Sequence, residues 1–460
     1  MRFILTIFAI SLFFSACQKQ DDFTTDTSAK LSFSTDSILF DTVFTSIGST
    51  TRRLKVFNPN KKAVKISQIK LAGGNTSPYQ ININGLPVNQ ANAVELAGND
   101  SLYIFIKVNI NPNNDALPFI VADSLLFETN GNQQKVQLAA YGQNANFLNG
   151  ENINQNTTWH KPLPYVIYNS VFVNQNVQLT IAAGSKIYFH KGSKLIVAGS
   201  LSAEGSVKDS VIFSGDRFEP IYLDEPGQWG GLHFLSTSFN NQLNHAIIKN
   251  ALIGIRVDGL SINNNPKLLL TNSTIKNIEV SGLAMFNTDV KAFNNLIFNC
   301  GQYLVYGVLG GVYDFKQNTF SALNLNFTRQ TPAVYFTDFY TSNNSNQTAL
   351  LEATLANNII WGSLDEELVF EKKGIAEPDI TLMNNLLKTK TPAFSANGNL
   401  INTDPLFINA IDEKYQLSTG SPAINKGTDL SSDAWFNPYL STDRSGKART
   451  FPSDLGCYEF

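Results

Sequence analysis

The chain has 460 residues, a formal net charge of −3, 43% hydrophobic residues and 15% charged residues. This composition can supply a large buried core and gives no overall basic field, so nucleic acid is not expected as a partner. Two of the 3 cysteines, Cys300 and Cys457, lie far apart in a long chain, which does not make a disulfide framework. We expect both to be small buried residues. Whether a disulfide bond joins them stays open, because the sequence does not show how far apart they lie in the fold.

Residues 1–16 have the layout of a secretory signal peptide. A positively charged start is followed by the apolar run FILTIFAISLFF and by two small residues. The run is too short for a permanent membrane span. Cys17 follows directly, and FSAC resembles the bacterial lipobox, which implies acylation of Cys17 and a membrane anchor of several acyl chains. The alternative is an ordinary signal peptide followed by a chance cysteine.

Residues 17–30 are polar and lack apolar periodicity, which predicts a flexible tether. Within it, QKQDD (Gln18 to Asp22) resembles the lysine-plus-two-acids export signal of Bacteroidetes lipoproteins. That resemblance implies an outer-membrane lipoprotein facing the cell exterior. A plain solvated tether is the alternative.

Residues 31–144 contain short alternating segments such as LKVFNP, VKISQIKLA, DSLYIFIKVNI and QKVQLAAYG, separated by Asn, Gly and Pro. Such spacing predicts an all-β sandwich. The order of these motifs resembles the immunoglobulin-like domains of abnormal-spindle and hydin-type proteins. The resemblance implies a spacer or a protein-binding module, and no catalytic constellation is present in this part of the sequence.

From residue 157 the sequence is repetitive. A train of short β segments (VFV, LTI, KIYF, KLIV, SLSA, SVIF) is followed by HAIIKN, NSTIKN, NNLIFN, QNTFSA, NNIIWG and NNLLKT, which start at residues 245, 272, 294, 317, 357 and 384. Most intervals fit one turn of a β-solenoid, and the long one contains an insertion. Asparagines at the corners tolerate left-handed backbone angles, and their amides can pair from turn to turn. Residues 157–400 resemble the right-handed parallel β-helix of the pectate-lyase-like superfamily.

The last residues, 404–460, carry DPLF, YQLSTGSPAINKGT, TDRSGKAR and DLGCYEF in that order. These motifs resemble the C-terminal pattern of bacterial choice-of-anchor Q proteins, with Cys457 where alanine is usual. We expect Asp443, Arg449, Asp454 and Glu459 to form a charge-paired cap over the open end of the solenoid, since repeat proteins need closed ends. A catalytic carboxylate set is the alternative.

Known catalytic signatures are missing from the sequence. It has no pectin-hydrolase motif set, no HxH or HExxH spacing among its histidines and no GxSxG elbow. No cofactor or metal is therefore expected; calcium stays open but has no supporting motif.

A first candidate site is the irregular stretch SGDRFEPIYLDEPGQWGG, residues 214–231, with Asp216, Arg217, Tyr222, Asp224 and Trp229 as candidate ligand-binding residues. An exposed aromatic ring next to charged groups suits sugar binding. The stretch also resembles a loop of Bacteroidetes β-helix proteins with GDR, YxD and WxG. The alternative is a folded flap in which Trp229 packs on the solenoid and the Asp216 region pairs internally.

A second candidate is IRVDG, where Arg256 and Asp258 alternate outward on one strand, with Lys276 and Glu279 expected nearby in the next turn. This set is a weak candidate for a lyase-like catalytic groove, and a charged ladder on a solvated face is the alternative.

The sequence therefore predicts an outer-membrane lipoprotein with a β-sandwich and a parallel β-helix that binds a polysaccharide or a surface protein. One alternative is an enzyme, a polysaccharide lyase or glycoside hydrolase acting in the β-helix groove. Another is a structural adhesin or envelope component. Fold alone does not decide among these three.

Overall fold

The computed structural model describes residues 22–323, 327–342 and 345–460. It divides into two compact units, Met1–Asn144 and Ala145–Phe460. The predicted fold class is confirmed: the chain is all-β, with a mainly antiparallel sandwich followed by a long parallel β-helix. The predicted signal peptide, Cys17 and the start of the tether lie outside the described residues. Over the described ranges, no helix is long and apolar enough to cross a membrane.

The first unit is a sandwich of two sheets. Its strands are β1 (Ser32–Phe33), β2 (Ser37–Phe44), β3 (Arg52–Phe57), β4 (Val64–Leu71), β5 (Tyr79–Ile83), β6 (Leu86–Pro87), β7 (Gln90–Leu96), β8 (Ser101–Val108), β9 (Phe119–Thr129) and β10 (Asn132–Gln143). One sheet has the order β1-β3-β8-β5-β6 and the other the order β2-β10-β9-β4-β7. A short 3₁₀ turn, Gly74–Thr76, links β4 to β5.

The sandwich core follows from the period-two alternation of its strands. On β8, Leu102, Ile104 and Ile106 are buried while the residues between them face solvent. Leu54 and Val56 do the same on β3, the neighbouring strand. Alternating side chains therefore divide each central strand into a core face and a solvent face.

The second unit is a coil of short strands. Its first strands are β11 (Asn146–Ile153), β12 (Thr157–Trp159), β13 (Tyr165–Val173), β14 (Gln178–Ala182), β15 (Lys186–Phe189), β16 (Lys194–Val197), β17 (Ser200–Glu204), β18 (Val211–Gly215), β19 (Gly231–Phe234), β20 (Asn241–Asn244), β21 (Ala246–Lys249), β22 (Ile253–Asp258), β23 (Leu268–Thr271), β24 (Thr274–Ile278), β25 (Ser281–Phe293), β26 (Leu296–Cys300), β27 (Tyr303–Lys316), β28 (Thr319–Ala322) and β29 (Val334–Thr337). The coil begins before the predicted start at residue 157, because β11 already pairs in parallel with β13. The segment NFLNGENI is rich in Asn and Gly, which concealed this strand.

The remaining strands complete the coil and add two hairpins. They are β30 (Phe339–Ser342), β31 (Ser345–Thr348), β32 (Leu351–Ala356), β33 (Ile359–Gly362), β34 (Leu368–Glu371), β35 (Asp379–Met383), β36 (Leu386–Leu387), β37 (Leu400–Ile401), β38 (Phe407–Asn409) and β39 (Lys414–Leu417). The pairs β30–β31 and β38–β39 are antiparallel hairpins outside the coil. Short helical turns are Pro220–Tyr222, Pro392–Ser395 and Phe436–Leu440.

Parallel pairing arranges the coil into three sheets. Sheet A runs through β12, β14, β17, β20, β23, the ends of β25 and β27, β32 and β35. Sheet B runs through β15, β18, β21, β24, β26, β28, β33, β36 and β37. Sheet C runs through β16, β19, β22, the starts of β25 and β27, β29 and β34. Each turn of the coil therefore adds one strand to each sheet.

The repeated asparagines lie at the corner where the chain passes from sheet A to sheet B, and they have two distinct roles there. The first residue of each repeat has a left-handed backbone, as at Asn272 (φ 51°), Asn294 (φ 56°) and Asn357 (φ 57°). The second residue is buried and bonds to its counterpart one turn further. This ladder joins Asn295, Asn318, Asn358, Asn385 and Asn399 through amide contacts of 2.9–3.0 Å. Asparagine suits both positions, because it tolerates left-handed angles and carries both a donor and an acceptor.

The C-terminal segment, residues 404–460, is not a cap over the open end of the solenoid, and the expectation of a cap is wrong. It runs back along the outside of the coil, over sheet B and the adjoining edge of sheet A. Leu417 and Leu455 pack on outward residues of β33, and Leu430 and Leu440 pack near Phe293. We call this segment the strap.

Corner asparagines hold the strap in place. Asn294 donates to the carbonyl oxygen of Tyr439 at 2.7 Å, and Asn357 donates to that of Thr428 at 3.0 Å. Arg449 bonds to Asn294 Oδ1 at 2.9 Å. The left-handed corner residues are therefore also the attachment points of the strap.

Candidate functional site

The charged residues of the strap serve its own folding. Arg449 pairs with Glu459 at 2.8 Å, and both side chains are almost completely buried. Asp443 accepts a bond from the backbone N–H of Glu459 at 3.0 Å, and Asp454 accepts one from that of Asn425 at 2.7 Å. Because these carboxylates are occupied by backbone donors, the set does not have the open geometry of a catalytic carboxylate pair.

The predicted loop site, residues 214–231, is a folded flap, and Trp229 is not the exposed ring that sugar stacking needs. Trp229 is 1% exposed and stacks on Phe189 with ring centroids 4.1 Å apart. Its Nε1 donates to the carbonyl oxygen of Lys249 at 2.8 Å. The chain therefore returns into the solenoid core at Trp229, and this residue stabilises the fold.

The start of the flap pairs internally, as the alternative expected. Asp216 contacts His190 Nδ1 at 2.8 Å, and the His190 ring stacks on Tyr168 at 4.2 Å. Burial raises the pKa of Asp216 although His190 opposes the shift. Burial, followed by the charge of Asp216, raises the pKa of Tyr168 to about 12. The Asp216 carboxylate is therefore already engaged within the protein.

The middle of the flap is also tied down. Arg217 forms a bidentate contact with Glu219 and lies over the ring of Tyr222 at 4.0 Å. Asp224 accepts a bond from Asn277 at 2.9 Å. The predicted residues thus lie in one segment, but their side chains do not converge on a common opening.

A better candidate site lies on the outer surface of sheet C. Tyr306 and Tyr335 are direct partners in neighbouring strands, with nearly parallel rings whose centroids are 5.9 Å apart. Tyr303 stacks on Tyr306 at 4.5 Å, and Phe286 meets Tyr306 edge-on at 6.3 Å. All four rings are only partly buried. We call Phe286, Tyr303, Tyr306 and Tyr335 the tyrosine stripe.

The tyrosines of the stripe are neutral hydrogen-bonding groups. Burial raises the pKa of Tyr306, and the neighbouring Tyr303 and Tyr340 add to the shift. Burial also raises the pKa of Tyr335, with a hydrogen bond to Glu371 as the next cause. Burial raises the pKa of Tyr303 as well, so the phenols keep their protons at physiological pH. A phenol can both donate and accept, although Tyr335 already donates to Glu371.

A charged cluster borders the stripe on the earlier turns of sheet C. Arg256 Nε donates to Asp258 Oδ1 at 2.9 Å, and His233 Nε2 lies 2.8 Å from Asp258 Oδ2. Burial would raise the pKa of Asp258, but bonds with His233 and Arg256 lower it overall. The Arg256 guanidinium lies over the Phe286 ring at 4.7 Å. The predicted pair Arg256 and Asp258 thus lies beside an aromatic surface.

The expected neighbours of this pair lie elsewhere. Lys276 is on sheet B and pairs with Glu413 of the strap at 2.6 Å. Glu279 lies against Gly227 of the flap, where an added Cβ would meet its carboxylate at 1.9 Å. The prediction that Lys276 and Glu279 join Arg256 in one groove is therefore wrong, because the chain changes sheets between them.

Cysteine and metal chemistry add little to the site. Cys300 and Cys457 are both buried thiols, and no disulfide joins them, which answers the open question of a bridge. Burial raises the pKa of each. Among the residues whose positions are described, no group of three or more His, Cys, Asp or Glu side chains could hold a metal ion.

The stripe was missed in the sequence because its members come from separate turns. Tyr303 and Tyr306 lie in YLVYGV, whereas Tyr335 lies beyond the connection that follows β28. Aligning the outward positions of β27 and β29 would have placed Tyr306 over Tyr335. The repeat spacing breaks at this point, so the sequence did not give that register.

Comparisons with known proteins leave the family open. No protein-family model and no curated protein matches the chain. Solved structures with partial similarity include a family 123 glycoside hydrolase from Clostridium perfringens, with 9% identity, 26% of each chain covered and a TM-score of 0.18. They also include PapD-like domain 7 of human CEP192, with 11% identity, 28% of this chain, 94% of that domain and a TM-score of 0.18. A third is the VesB protease of Vibrio cholerae, with 9% identity, 26% of this chain, 33% of that chain and a TM-score of 0.18. The chain spans about a quarter of the hydrolase, and these alignments carry no conclusion about function.

Proposed function

We propose that the protein is a surface-exposed lipoprotein that binds a glycan through the tyrosine stripe. The observation that supports this proposal is the meeting of Tyr303, Tyr306 and Tyr335 on the outside of sheet C. The solenoid buries its apolar residues inside, so these outward rings are not needed to form its core. Grouped aromatic rings at a surface are typical of binding sites.

The surroundings of the stripe suit a sugar chain. Flat rings can contact the C–H faces of sugars, and the neutral phenols can bond to hydroxyl groups. Arg256 lies beside Phe286 at one end, and Glu371 lies beside Tyr335 at the other. Since adjacent strands are about 4.8 Å apart, a glycan lying along the axis would contact several turns at once.

The binding proposal can be tested with the purified protein, a glycan array and titrations against the polysaccharides that it retains. Tyr306→Ala combined with Tyr335→Ala is expected to weaken binding by about tenfold or more, because central tyrosines carry much of the energy of such contacts. Tyr141→Ala is the matched control, since Tyr141 is an exposed tyrosine of the sandwich (53%). Equal affinity for all three proteins would contradict the proposal. Silence across the array would favour the structural adhesin or a protein partner.

Membrane attachment is the second part of the proposal, and it rests on FSAC and QKQDD in the sequence. Acylation at Cys17 would leave the solenoid outside the membrane, tethered by a polar segment. Metabolic labelling with an alkynyl fatty acid should mark the wild-type protein and not Cys17→Ser. Labelling of both proteins would contradict anchoring at Cys17, and protease accessibility on intact cells tests display on the exterior.

A polysaccharide lyase remains the second candidate, and Arg256 is the observation that favours it. Its Nε is fixed by Asp258, while its Nη atoms make no hydrogen bond to any residue within the described ranges. Such a guanidinium could face the carboxylate of a uronic acid. In this reaction a base takes the C5 proton and a C4–C5 double bond forms. The C4–O bond breaks, its electron pair leaves with the glycosidic oxygen, and that oxygen takes up a proton. Ultraviolet absorbance of the unsaturated product that disappears in Arg256→Ala would identify a lyase.

A further inference from the structure

The solvent face of the sheet β1-β3-β8-β5-β6 has an unusual composition. The outward residues of β8 include Tyr103 and Phe105, and those of β3 include Arg53 and Lys55. Cross-strand pairing places Lys55 opposite Tyr103 and Arg53 opposite Phe105. We call these four residues, together with Lys107, the cation–aromatic face.

The two aromatic rings form one continuous surface. Tyr103 is 37% exposed and Phe105 is 42% exposed, and their rings lie 6.4 Å apart at an angle of 23°. The sandwich core lies on the opposite side of β8, so this exposure is not required by folding. An apolar surface that stays in water on a central strand is typical of an interaction site.

The charges of the face are positive and unpaired. Arg53 lies 5.9 Å and Lys55 5.5 Å from the centre of the Tyr103 ring. Lys107 follows Phe105 as the next outward residue of β8. The outward positions of β3, β5 and β8 carry no carboxylate, and in the described part of the chain none of the three cations forms an ion pair. The face is therefore complementary to a negatively charged ligand.

We propose that the cation–aromatic face binds an anionic polysaccharide, separately from the tyrosine stripe. β8 is paired with β3 on one side and β5 on the other, so a peptide cannot join this part of the sheet as an added strand. Recognition must use side chains alone. Rings that contact the apolar faces of sugars, next to cations that contact carboxylate or sulfate groups, match a charged glycan.

The test uses the full protein carrying Tyr306→Ala and Tyr335→Ala, so that the solenoid stripe does not contribute, and polygalacturonate as the probe. Binding is expected at low ionic strength and should weaken as salt is added. Arg53→Gln with Lys55→Gln should lower the affinity at least about tenfold, and Tyr103→Ala with Phe105→Ala should do the same. The matched control is Lys61→Gln with Lys135→Gln, which removes two exposed lysines elsewhere on the sandwich.

Three results would overturn the proposal. The first is absence of polygalacturonate binding at low salt. The second is an equal loss in the Lys61 and Lys135 control, since that would show an effect of net charge alone. The third is equally tight binding of poly-glutamate that survives the replacement of Tyr103 and Phe105, which would indicate an acidic peptide as the ligand. Circular dichroism and melting temperature confirm that each variant is folded.

Discussion

Replacing Asn358 by alanine tests the buried asparagine ladder of the solenoid. The Asn358 Nδ2 group donates to the carbonyl oxygen of Phe315 at 2.8 Å and to Asn385 Oδ1 at 3.0 Å. Its Oδ1 accepts from the backbone N–H and from the Nδ2 of Asn318, both at 2.9 Å. Alanine leaves these two buried donors of Asn318 without that acceptor. At about 1–3 kcal/mol per unsatisfied group, the expected loss of stability is about 2–6 kcal/mol.

The assay is urea unfolding combined with hydrogen exchange of the peptides that contain β28, β33 and β36. Exchange is needed because solenoids can open turn by turn, so a single unfolding free energy can miss a local loss. Protection should fall in these three strands first. Asn263→Ala is the control, since Asn263 is exposed and its loss should cost less than about 0.5 kcal/mol. A loss below about 1 kcal/mol for Asn358→Ala, with unchanged exchange, would refute the reasoning.

Three further predictions concern buried or paired groups. Trp229→Ala should lower the free energy of unfolding, measured by urea unfolding, by about 3–5 kcal/mol. The protein that remains folded should bind glycans with unchanged affinity. A loss of affinity without a loss of stability would show that Trp229 is a binding residue. Glu367→Ala should cost about 3–5 kcal/mol, because it leaves the buried Arg329 guanidinium without its partner, whereas exposed Glu377→Ala should cost little. Asp258 has a lowered pKa, so its stabilising contribution is present above its ordinary pKa of 3.8 and is lost as the pH falls through the folded value. The stability difference between wild type and Asp258→Asn should therefore shrink as the pH falls through the folded-state pKa of Asp258. Melting temperatures measured along an acid titration test this, and a constant difference would contradict the lowered pKa of Asp258.

The sequence predicted the parts of the fold that repeat. Alternation gave the sandwich strands, and the repeats beginning at 245, 272 and 294 gave the turns of the solenoid. The paired asparagines were predictable because the same requirement recurs at each turn. The first residue of the pair needs a left-handed backbone, and the second needs a side-chain amide that can be buried. Periodicity is informative where each turn contacts only its neighbours.

The features that were missed depend on contacts without a period. A folded flap with Trp229 packed on the solenoid was one of two interpretations of residues 214–231, and only contacts such as that of Trp229 with Phe189 decide between them. Leu430 and Leu440 of the strap are separated by turns and a single short helical turn, so no strand or helix period reveals their packing against the outside of the coil. The strap motifs could therefore be recognised, but not their position along the side of the solenoid.

The position of the strap also bears on which surface is used for binding. It covers outward residues of sheet B, such as Trp361 and Phe298, with its own apolar side chains. Sheet C carries outward rings too, and in the described ranges no apolar cluster of the strap includes one of them. The same chain thus covers the outward aromatics of one sheet and leaves Tyr303, Tyr306 and Tyr335 of another in contact with solvent. Because covering apolar surface is favourable, the uncovered rings support the proposal that a ligand binds at the tyrosine stripe.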